Sequence, residues 1–363
     1  MKDKIRLGII FGGRSGEHDI SLMSATSIIN ATNRDKYEVI CIGITRDGNW
    51  LLYDGPVALI ETGAWQKAAE EALAANPEKY AMTILGAGGK SLKDLIDFAF
   101  PVLHGPHGED GTIQGLFEMV DIPYAGCGVL GSATAMDKAV AKDLFARAGL
   151  PICKHVVVLK EEIDYNVNSI IQKVEQELGY PVFVKPANMG SSVGVTKAKD
   201  RQGLVAAFAE AALHDRRLVI EEGLSCREIE TGIIGNYKPE AAAVGEIISS
   251  NEFYDYTAKY FDGGQSKMCI PADITREMAE SIREMAIKAY EALDCCGFSR
   301  VDFFVTRDTG EIFLNEINTI PGFTKYSMFP CLWAEAGVGY AELIEGIIGY
   351  GFEKYNLKNQ REG

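Results

Sequence analysis

Apolar runs alternate with amphipathic stretches along the first third of the chain. β-Branched apolar runs predict strands near residues 5–11 and 37–44, with a helix at about 21–31 between them. A turn, RDGN, leads into a short strand, WLLY, and a polar helix, WQKAAEEALAANP, precedes the strand IDFAFPVLHG. This alternation predicts a mainly parallel α/β sheet that binds its ligands at the carboxyl ends of the strands.

The pattern changes after residue 126. An alanine-rich stretch, GSATAMDKAVAKDLFARAGLPI, predicts one helix closed by Gly149 and Pro151. Strands follow near 153–159 and 182–185 and at RLVIEEGL, REIETGIIG and AAAVGEII. The long loop NEFYDYTAKYFDGGQSKMCIPAD is rich in tyrosine and predicts a lid. Linker-like Pro/Ser tracts are absent from the sequence, which predicts domains that abut with a cleft between them.

Length, charge and cysteine content narrow the class of protein. A chain of 363 residues is too long for one typical core and predicts two or three domains. The net charge of −15 argues against nucleic acid as a partner, and no apolar run approaches the roughly 18 residues of a membrane span. The start, MKDKIRLGIIFGG, predicts a strand and loop rather than a signal peptide. Eight cysteines without a C-x-x-C pair indicate reduced thiols of a cytoplasmic protein.

The stretch YPVFVKPANMGSSVGV places Lys185 at the end of a strand and follows it with a loop of small residues. Side chains are small at Gly190, Ser191, Ser192 and Gly194, so backbone N–H groups there can approach an anion closely. The lysine precedes the glycines, which is the reverse of a Walker loop, and a second short strand follows. The segment therefore predicts either a flap over a nucleotide or an ordinary hairpin.

Two strands near the end of the chain, in SRVDFFVTRDTGEIFLNEINTIPGF, carry polar residues at alternate positions. Arg300 and Asp302 share a face of the first strand, and Glu316 and Asn318 share a face of the second. Facing each other across a hairpin, Asp302, Glu316 and Asn318 would gather oxygen ligands that suit Mg²⁺. The alternative is a salt-bridged, solvated sheet face. Together with the flap and the lid, the hairpin favours an ATP-dependent phosphoryl-transfer site.

Two glycine-rich loops at predicted strand ends, GGRSGEHDIS and HGPHGEDGTIQG, also carry chemistry. Each pairs a carboxylate with a histidine: Glu17 with His18, and Glu109 with His104. Such pairs suit a small zwitterionic substrate, although glycine turns at strand ends are common without any ligand.

These motifs, with MDK, FYDYTAKY, SRVDFF and NEINTIPGFTKYSMFP, stand in one order along nearly the whole chain. Together they resemble the D-alanine–D-alanine ligase family of the ATP-grasp superfamily. The resemblance implies a three-domain ATP-grasp architecture in the α/β class. Its expected parts are an N-terminal parallel α/β, substrate-binding domain at 1–126, a central ATP-grasp domain at 127–222, and a C-terminal domain at 223–363 with the metal site and lid.

The resemblance also implies ATP, two Mg²⁺ or Mn²⁺ ions, and two D-alanine molecules. ATP phosphorylates the first D-alanine, and the amine of the second attacks the acyl phosphate to form D-alanyl-D-alanine for peptidoglycan precursors. Lys138 and Lys185 would hold phosphates, with Lys259 at the γ-phosphate. The metal ligands implied are Asp302, Glu316 and Asn318. The full set implied for ATP is Lys138, Lys185, Ser192, Glu221, Glu222, Leu224, Glu228 and Lys259, with adenine near 221–224 and ribose at Glu228.

For the substrates, the resemblance implies that Glu17 anchors the first ammonium group and is hydrogen-bonded to Ser191 and to the lid residue Tyr260. Arg300 and the Gly322 N–H would form an oxyanion hole. The implied catalytic residues are Glu17, Ser191, Tyr260, Arg300, Gly322 and Ser327, and the implied substrate residues are Glu17, His104, Arg300, Gly322, Ser327 and Met328.

Other functions remain open at this stage. A D-alanine–D-serine or D-lactate ligase of the glycopeptide-resistance type is the alternative within the fold, but Tyr260 and Met328 favour D-alanine as the second substrate. A non-catalytic ATP-binding module could lose Glu17, Arg300 and Glu316, yet all three are present.

Glu222 departs from the lysine of many relatives, with little expected effect. The stretch 53–97 has no assigned task, but its alanine-rich helix is expected to serve packing or a dimer surface, and a homodimer is expected.

Overall fold

The structure is a computed structural model that describes residues 4–85, 90–248 and 267–360. In chain order the strands of these residues are β1 (Ile5–Gly12), β2 (Tyr37–Ile44), β3 (Trp50–Tyr53), β4 (Met82–Thr83), β5 (Lys90–Ser91), β6 (Phe98–Val102), β7 (His155–Leu159), β8 (Val182–Pro186), β9 (Thr196–Ala198), β10 (Arg217–Glu222), β11 (Cys226–Gly235), β12 (Glu240–Ile248), β13 (Lys267–Cys269), β14 (Gly297–Thr306) and β15 (Ile312–Asn318).

The helices of the same residues frame these strands. They are α1 (His18–Ala31), α2 (Ala58–Glu61), α3 (Trp65–Ala75), α4 (Pro77–Tyr80), α5 (Leu92–Leu95), α6 (Thr112–Met119), α7 (Val129–Met136), α8 (Lys138–Arg147), α9 (Lys160–Glu177), α10 (Arg201–Ala211), α11 (Arg276–Ala292), α12 (Met328–Glu335) and α13 (Tyr340–Asn359).

The N-terminal sheet has the order β3-β2-β1-β6, and β1 runs parallel to both of its neighbours. The mainly parallel sheet predicted from the alternating pattern is therefore confirmed. The predicted helix in 53–97 packs on this sheet, because the buried Trp65 ring lies 5.1 Å from that of Phe11. The glycine-rich loops after β1 and β6 leave the same edge of the sheet, as parallel strands require.

The central sheet has the order β7-β10-β8-β9 and is antiparallel. Helices α9 and α10 cover one face with residues such as Val174 and Phe208, forming a core separate from the rest of the molecule. The pairing of β9 with β8 confirms that the glycine loop, here named the flap (residues 187–195), joins two adjacent strands.

The C-terminal sheet, β13-β12-β11-β14-β15, is antiparallel and is covered on both faces. Helices α8 and α11 bury one face. On the other face, Phe298, Phe323 and Trp333 belong to the same hydrophobic cluster as Phe11 and Phe100 of the N-terminal sheet. The N-terminal and C-terminal parts of the chain therefore share one core.

The single helix predicted for the alanine-rich stretch is wrong, since α7 ends at Met136 and α8 begins at Lys138. Asp137 between them is extended, and its carboxylate accepts hydrogen bonds from the N–H groups of Ala139 and Val140 at 3.1 Å. This is N-cap chemistry, which stabilises a new helix start rather than a continuous helix. The break places Lys138 at the first turn of α8.

Buried residues of α7, α8 and the turn after them, including Phe145 and Leu150, belong to the core of the C-terminal sheet. Ile152 also forms a bridge with Leu314 of β15. The domain borders after residues 126 and 222 stay a prediction, and this packing favours a first border near residue 152.

Two predicted site residues of the lid, Lys259 and Tyr260, lie outside the described residues. The eight cysteines all lie within the described ranges and are free thiols. Among the described helices, none combines the length and apolar character needed to cross a bilayer.

Candidate active site

The central and C-terminal sheets face each other across a cavity of 520 Å³. One wall consists of side chains of β8 and β10, and the other of side chains of β11, β14 and β15. The flap closes one end of the cavity. The predicted residues that line it are Lys138, Lys185, Ser191, Ser192, Glu221, Glu222, Leu224, Glu228, Arg300, Asp302 and Glu316.

A second cavity of 670 Å³ adjoins the first and lies between the N-terminal loops and the C-terminal domain. The predicted residues that line it include Glu17, His104, Asn318, Gly322, Ser327 and Met328. Six residues line both cavities, so the two form one cleft with two halves: Lys138, Met189, Ser191, Glu230, Arg300 and Glu316.

The carboxylates of the C-terminal hairpin face one another by strand register. Asp302 of β14 pairs directly with Glu316 of β15, and Arg300 pairs with Asn318. The Arg300 guanidinium donates from two nitrogens to the two Asp302 oxygens, each at 2.7 Å, and its Nε lies 2.9 Å from Glu230 Oε2. Asn318 Nδ2 donates to Asp302 Oδ2 at 2.9 Å. The hairpin predicted from the sequence is confirmed, and it is a dense polar array rather than a solvated face.

These oxygens suit a hard divalent cation that shares its coordination with phosphates. Two carboxylates and one amide meet on neighbouring strands, and the described residues hold no group of three or more His, Cys, Asp or Glu positioned for a metal. Mg²⁺ is usually held by one or two carboxylates plus substrate phosphates and waters rather than by an all-protein cage. The donor set therefore fits magnesium only in partnership with a bound nucleotide.

Lys138 lies where the two halves of the cleft meet. Its backbone N–H donates to Ala187 O at 2.8 Å, and its Nζ donates to Met189 O at 2.8 Å. The same Nζ lies 3.4 Å from Glu316 Oε2. The side chain thus connects the start of α8, the flap and the carboxylate array.

Lys185, on the opposite wall, shares the buried carboxylate of Glu221 with Lys142. Lys185 Nζ lies 2.7 Å from Glu221 Oε2, and Lys142 Nζ lies 3.0 Å from Oε1. Burial alone would raise the pKa of Glu221, but the two ammonium groups hold it well below its ordinary value. Burial alone would lower the pKa of Lys185, and Glu221 outweighs that effect and raises it. Two cations sharing one anion give this wall a net positive charge for phosphates.

The flap reaches the second cavity through Ser191, whose hydroxyl donates a hydrogen bond to Glu17 Oε1. Ser191 and Ser192 have φ of 49° and 58°, in the left-handed region that non-glycine residues seldom adopt. A Cβ at Gly190 would lie 3.0 Å from Glu17 Oε2. The loop therefore needs small residues to bring its backbone against Glu17.

The remaining predicted substrate residues lie around the second cavity. Ser327 Oγ accepts from Thr324 N–H at 3.1 Å, a Cβ at Gly322 would lie 3.3 Å from it, and Met328 is buried beside it. His104 is also buried, and both ring nitrogens are engaged, Nδ1 with Ile320 O at 2.8 Å and Nε2 with Ser24 Oγ at 3.3 Å. Burial lowers the pKa of His104. Its contacts are those of a residue that braces the loops.

At the far end of the first cavity, Glu222 is turned toward the backbone of the central domain. Its Oε1 accepts from Lys154 N–H at 2.7 Å, and its own N–H donates to Lys154 O at 3.1 Å. Gly223 N–H donates to Pro181 O at 2.8 Å. The carboxylates of Glu221 and Glu222 are therefore engaged by lysine side chains and by backbone N–H, respectively. Leu224 and Glu228 line the cavity.

Lys142 and Glu230 also belong to the site, although neither is among the residues predicted from the sequence. Lys142 is 1% exposed and four residues after Lys138, so a helical reading of MDKAVAK would place it on the face of Lys138. Glu230 alternates with Glu228 on β11, as Arg300 does with Asp302. Glu109, paired with His104 in the sequence as suited to a zwitterionic substrate, lines the second cavity.

Two facing sheets with a glycine flap, paired lysines and a carboxylate hairpin define an ATP-grasp ligase. Family models agree: one described as D-ala D-ala ligase N-terminus matches residues 6–127, and one described as D-ala D-ala ligase C-terminus matches residues 144–349. The chain belongs to the D-alanine–D-alanine ligase family.

Individual relatives extend this similarity over the full chain. A protein of Thermoanaerobacter sp. strain X514 named D-alanine--D-alanine ligase is 52% identical over 356 residues, which are 98% of this chain and 99% of that one. A crystal structure of the VanG D-Ala:D-Ser ligase from Enterococcus faecalis is 35% identical with a TM-score of 0.85, covering 96% of this chain and 100% of that one. The D-alanine-D-alanine ligase from Coxiella burnetii is 29% identical with a TM-score of 0.83, covering 98% and 96%.

Proposed function

We propose that this chain joins two D-alanine molecules to D-alanyl-D-alanine at the expense of ATP, with ADP and phosphate released. The observation that carries the proposal is the single cleft whose two halves meet at Lys138, Arg300 and Glu316. A phosphoryl group delivered from the first half can therefore reach a carboxylate bound in the second half without leaving the site.

The first half is assigned to ATP. Lys138 and Lys185 bind its phosphates with the N–H groups of the flap at Ser191 and Ser192, because anions bind where small residues expose successive backbone donors. Lys142 shares the Glu221 carboxylate, so Glu221 holds Lys185 less strongly and leaves its ammonium group able to bind phosphate. Adenine lies near 221–224 and is bound mainly by backbone groups, since the Glu221 and Glu222 side chains are engaged elsewhere. Glu228 receives the ribose.

Asp302, Glu316 and Asn318 would hold two divalent cations, Mg²⁺ or Mn²⁺, once a nucleotide is present. The chemistry such ions would supply there is neutralisation of phosphate charge during phosphoryl transfer. Arg300 and Lys138 neutralise the same carboxylates in the described structure.

The second half is assigned to the two amino acids. Glu17 binds the ammonium group of the first D-alanine, and Ser191 ties the flap to it. Arg300 and the Gly322 N–H stabilise the oxyanion of the tetrahedral intermediate, in a site where water is excluded. Ser327 and Met328 receive the second substrate. Tyr260 and Lys259 keep the lid roles implied by the resemblance, outside the described residues.

Selectivity for the second substrate is proposed to rest on Met328. A thioether offers dispersion contacts to a methyl group but no strong hydrogen bond for a hydroxyl, so D-serine gains nothing for the water it loses. An unpaired hydroxyl costs about 1–3 kcal/mol, which is roughly a ten- to hundredfold preference for D-alanine in kcat/KM.

Three further proposals accompany this one: a cytoplasmic location, a homodimer, and the three-domain division.

The decisive experiment measures dipeptide and phosphate release with ATP, Mg²⁺ and, as second substrate, D-alanine, D-serine, D-lactate or L-alanine. D-alanine should be used best, with D-serine at least tenfold poorer. Phosphate release without dipeptide would contradict the ligase assignment. Equal use of D-serine and D-alanine would instead favour a D-Ala:D-Ser ligase, the activity named for the structural neighbour from Enterococcus faecalis.

A further inference from the structure

The loop after β6 grips one residue of the C-terminal domain from both sides. Ile320, two residues before Gly322, donates its N–H to Glu109 Oε1 at 3.0 Å. Its carbonyl oxygen accepts a hydrogen bond from His104 Nδ1 at 2.8 Å. Both polar backbone groups of Ile320 are therefore held by side chains of residues 104–109, across the border between the N-terminal and C-terminal parts of the chain.

The same loop is fixed on its own side. Glu109 Oε2 accepts from Gly105 N–H at 2.7 Å, and the His104 carbonyl accepts from Ser15 Oγ at 2.7 Å. Gly105 lies so close to the first-substrate residue that a Cβ there would be 2.4 Å from Glu17 Oε2. One carboxylate thus connects the backbone beside Glu17 to the backbone that leads to Gly322.

We propose that Glu109 is a positioning residue for the acyl-transfer step: by holding Ile320, it fixes the Gly322 N–H in the place where the oxyanion forms. The proposal rests on the proposed function, which assigns that N–H to the oxyanion hole. Pro321 stands between the two residues and its φ is fixed, so the orientation of Ile320 passes on to Gly322 with little freedom. Oxyanion donors stabilise the transition state only when they are aimed before the reaction.

The charges around Glu109 support a role that depends on protonation. Glu17 at the start of α1 and Arg300 of β14 act on its charge, and His104 of the same loop binds the same residue, Ile320. Burial, and then the nearby negative charge of Glu17, raise the pKa of Glu109 to about 8; the hydrogen bonds from the Gly105 and Ile320 N–H groups, and then Arg300, oppose this only in part. A protonated Glu109 still accepts from both N–H groups and places no second negative charge beside the substrate anchor. Its ionisation above pH 8 changes the field at the oxyanion site.

The test is Glu109→Gln in the full-length enzyme. The glutamine amide has one accepting oxygen, so it satisfies only one of the two N–H groups. The matched control is Glu118→Gln, because Glu118 also links the N-terminal part to the C-terminal helix α13, through Lys358, but is not among the residues lining the cleft. We expect kcat for dipeptide synthesis to fall by roughly ten- to hundredfold in Glu109→Gln, with KM for ATP and for D-alanine within about threefold of wild type.

Two further readouts distinguish positioning from a structural role. The wild-type kcat should have a pH limb near 8 that is missing in Glu109→Gln and present in the Glu118→Gln control. Glu109→Asp, which is too short to reach both N–H groups, should also lose kcat but keep a pH limb; it replaces the glutamine variant if that variant does not bind ATP. A kcat equal to that of the control, or a loss confined to KM, overturns the inference. Failure of the wild-type enzyme to form dipeptide would instead overturn the proposed function.

Discussion

The two walls of the first cavity differ in charge and in the hydrophobic cores behind them. The C-terminal wall places three carboxylates, Glu230, Asp302 and Glu316, around one guanidinium. On the central wall, two ammonium groups share one carboxylate, that of Glu221. A polyphosphate between them meets lysines on one side and, on the other, carboxylates that can face it only through metal ions.

The hydrophobic cores behind the two walls also differ. The C-terminal sheet shares its hydrophobic cluster with the N-terminal sheet, while the central sheet is packed on a cluster of its own. The second cavity, to which the amino acids are assigned, therefore lies over one continuous core. The first cavity, to which ATP is assigned, lies between that core and the separate core of the central sheet.

The largest expected effect is a loss of kcat from a change in the C-terminal wall. Glu316→Gln should reduce kcat by about a thousandfold or more, a barrier increase of roughly 4 kcal/mol, because it removes a charge where both halves of the cleft meet. Thermal melting should be nearly unchanged. The control is Glu311→Gln, an exposed position in the turn of the same hairpin. If Glu316→Gln kept more than about a tenth of the wild-type kcat, the metal assignment would be wrong.

The separation of the cores is tested with two phenylalanines. Phe208→Ala in the central core and Phe100→Ala in the shared core should each lower the free energy of unfolding by about 3–5 kcal/mol. Hydrogen exchange should then accelerate mainly within residues 153–222 for Phe208→Ala, and in both the N-terminal and C-terminal sheets for Phe100→Ala. Uniform acceleration in both variants would mean that the cores unfold as one.

A smaller effect is expected on the central wall, where Lys142 and Lys185 share the carboxylate of Glu221. Lys142→Met should lower the free energy of unfolding by about 2–3 kcal/mol, less than a fully uncompensated buried charge would cost, because Lys185 still pairs with Glu221. KM for ATP should rise, since Glu221 then holds Lys185 more strongly. Urea unfolding and ATP kinetics measure the two effects, with the exposed Lys173→Met as control. A variant with wild-type stability and KM would remove Lys142 from the site.

The smallest expected effect is on the pH dependence of stability. It concerns two buried carboxylates, Glu221 and Glu109, whose surroundings shift their pKa in opposite directions. Lysines lower the pKa of Glu221, so its contribution to stability is present above its ordinary pKa and is lost only in strong acid. Glu109 has no lysine partner among its described contacts, and burial and Glu17 raise its pKa to about 8. The folded state then keeps a proton that the unfolded chain releases, and stability falls as pH rises from about 5 to 8.

The raised pKa of Glu109 can be measured as the slope of the unfolding free energy against pH. Urea unfolding of wild type and Glu109→Gln between pH 5 and 8 should diverge, with wild type losing up to about 1.4 kcal/mol per pH unit relative to the variant. Parallel curves would show that Glu109 ionises in the folded protein as it does in the unfolded chain.

Several features of the site followed from the sequence because they depend on local pattern. The alternation of Arg300 with Asp302 and of Glu316 with Asn318 placed each pair on one strand face, and the register of the hairpin brought the faces together. The small residues after Lys185 predicted a loop between two adjacent strands, which the structure contains. The alanine-rich residues on both sides of Asp137 favour a continuous helix, so the sequence pattern does not reveal Asp137 as a helix N-cap.

The sequence by itself determined the elements, the strand faces and the chemical character of the cleft, because these depend on residues close together in the chain. Only the tertiary structure decided that Lys142 lies against Glu221, that α8 packs with the C-terminal core, and that Glu109 reaches Ile320, 211 residues away. Such pairings depend on which surfaces become buried against each other. A buried charge or backbone N–H must find a partner wherever the packing places one, whatever the distance along the chain.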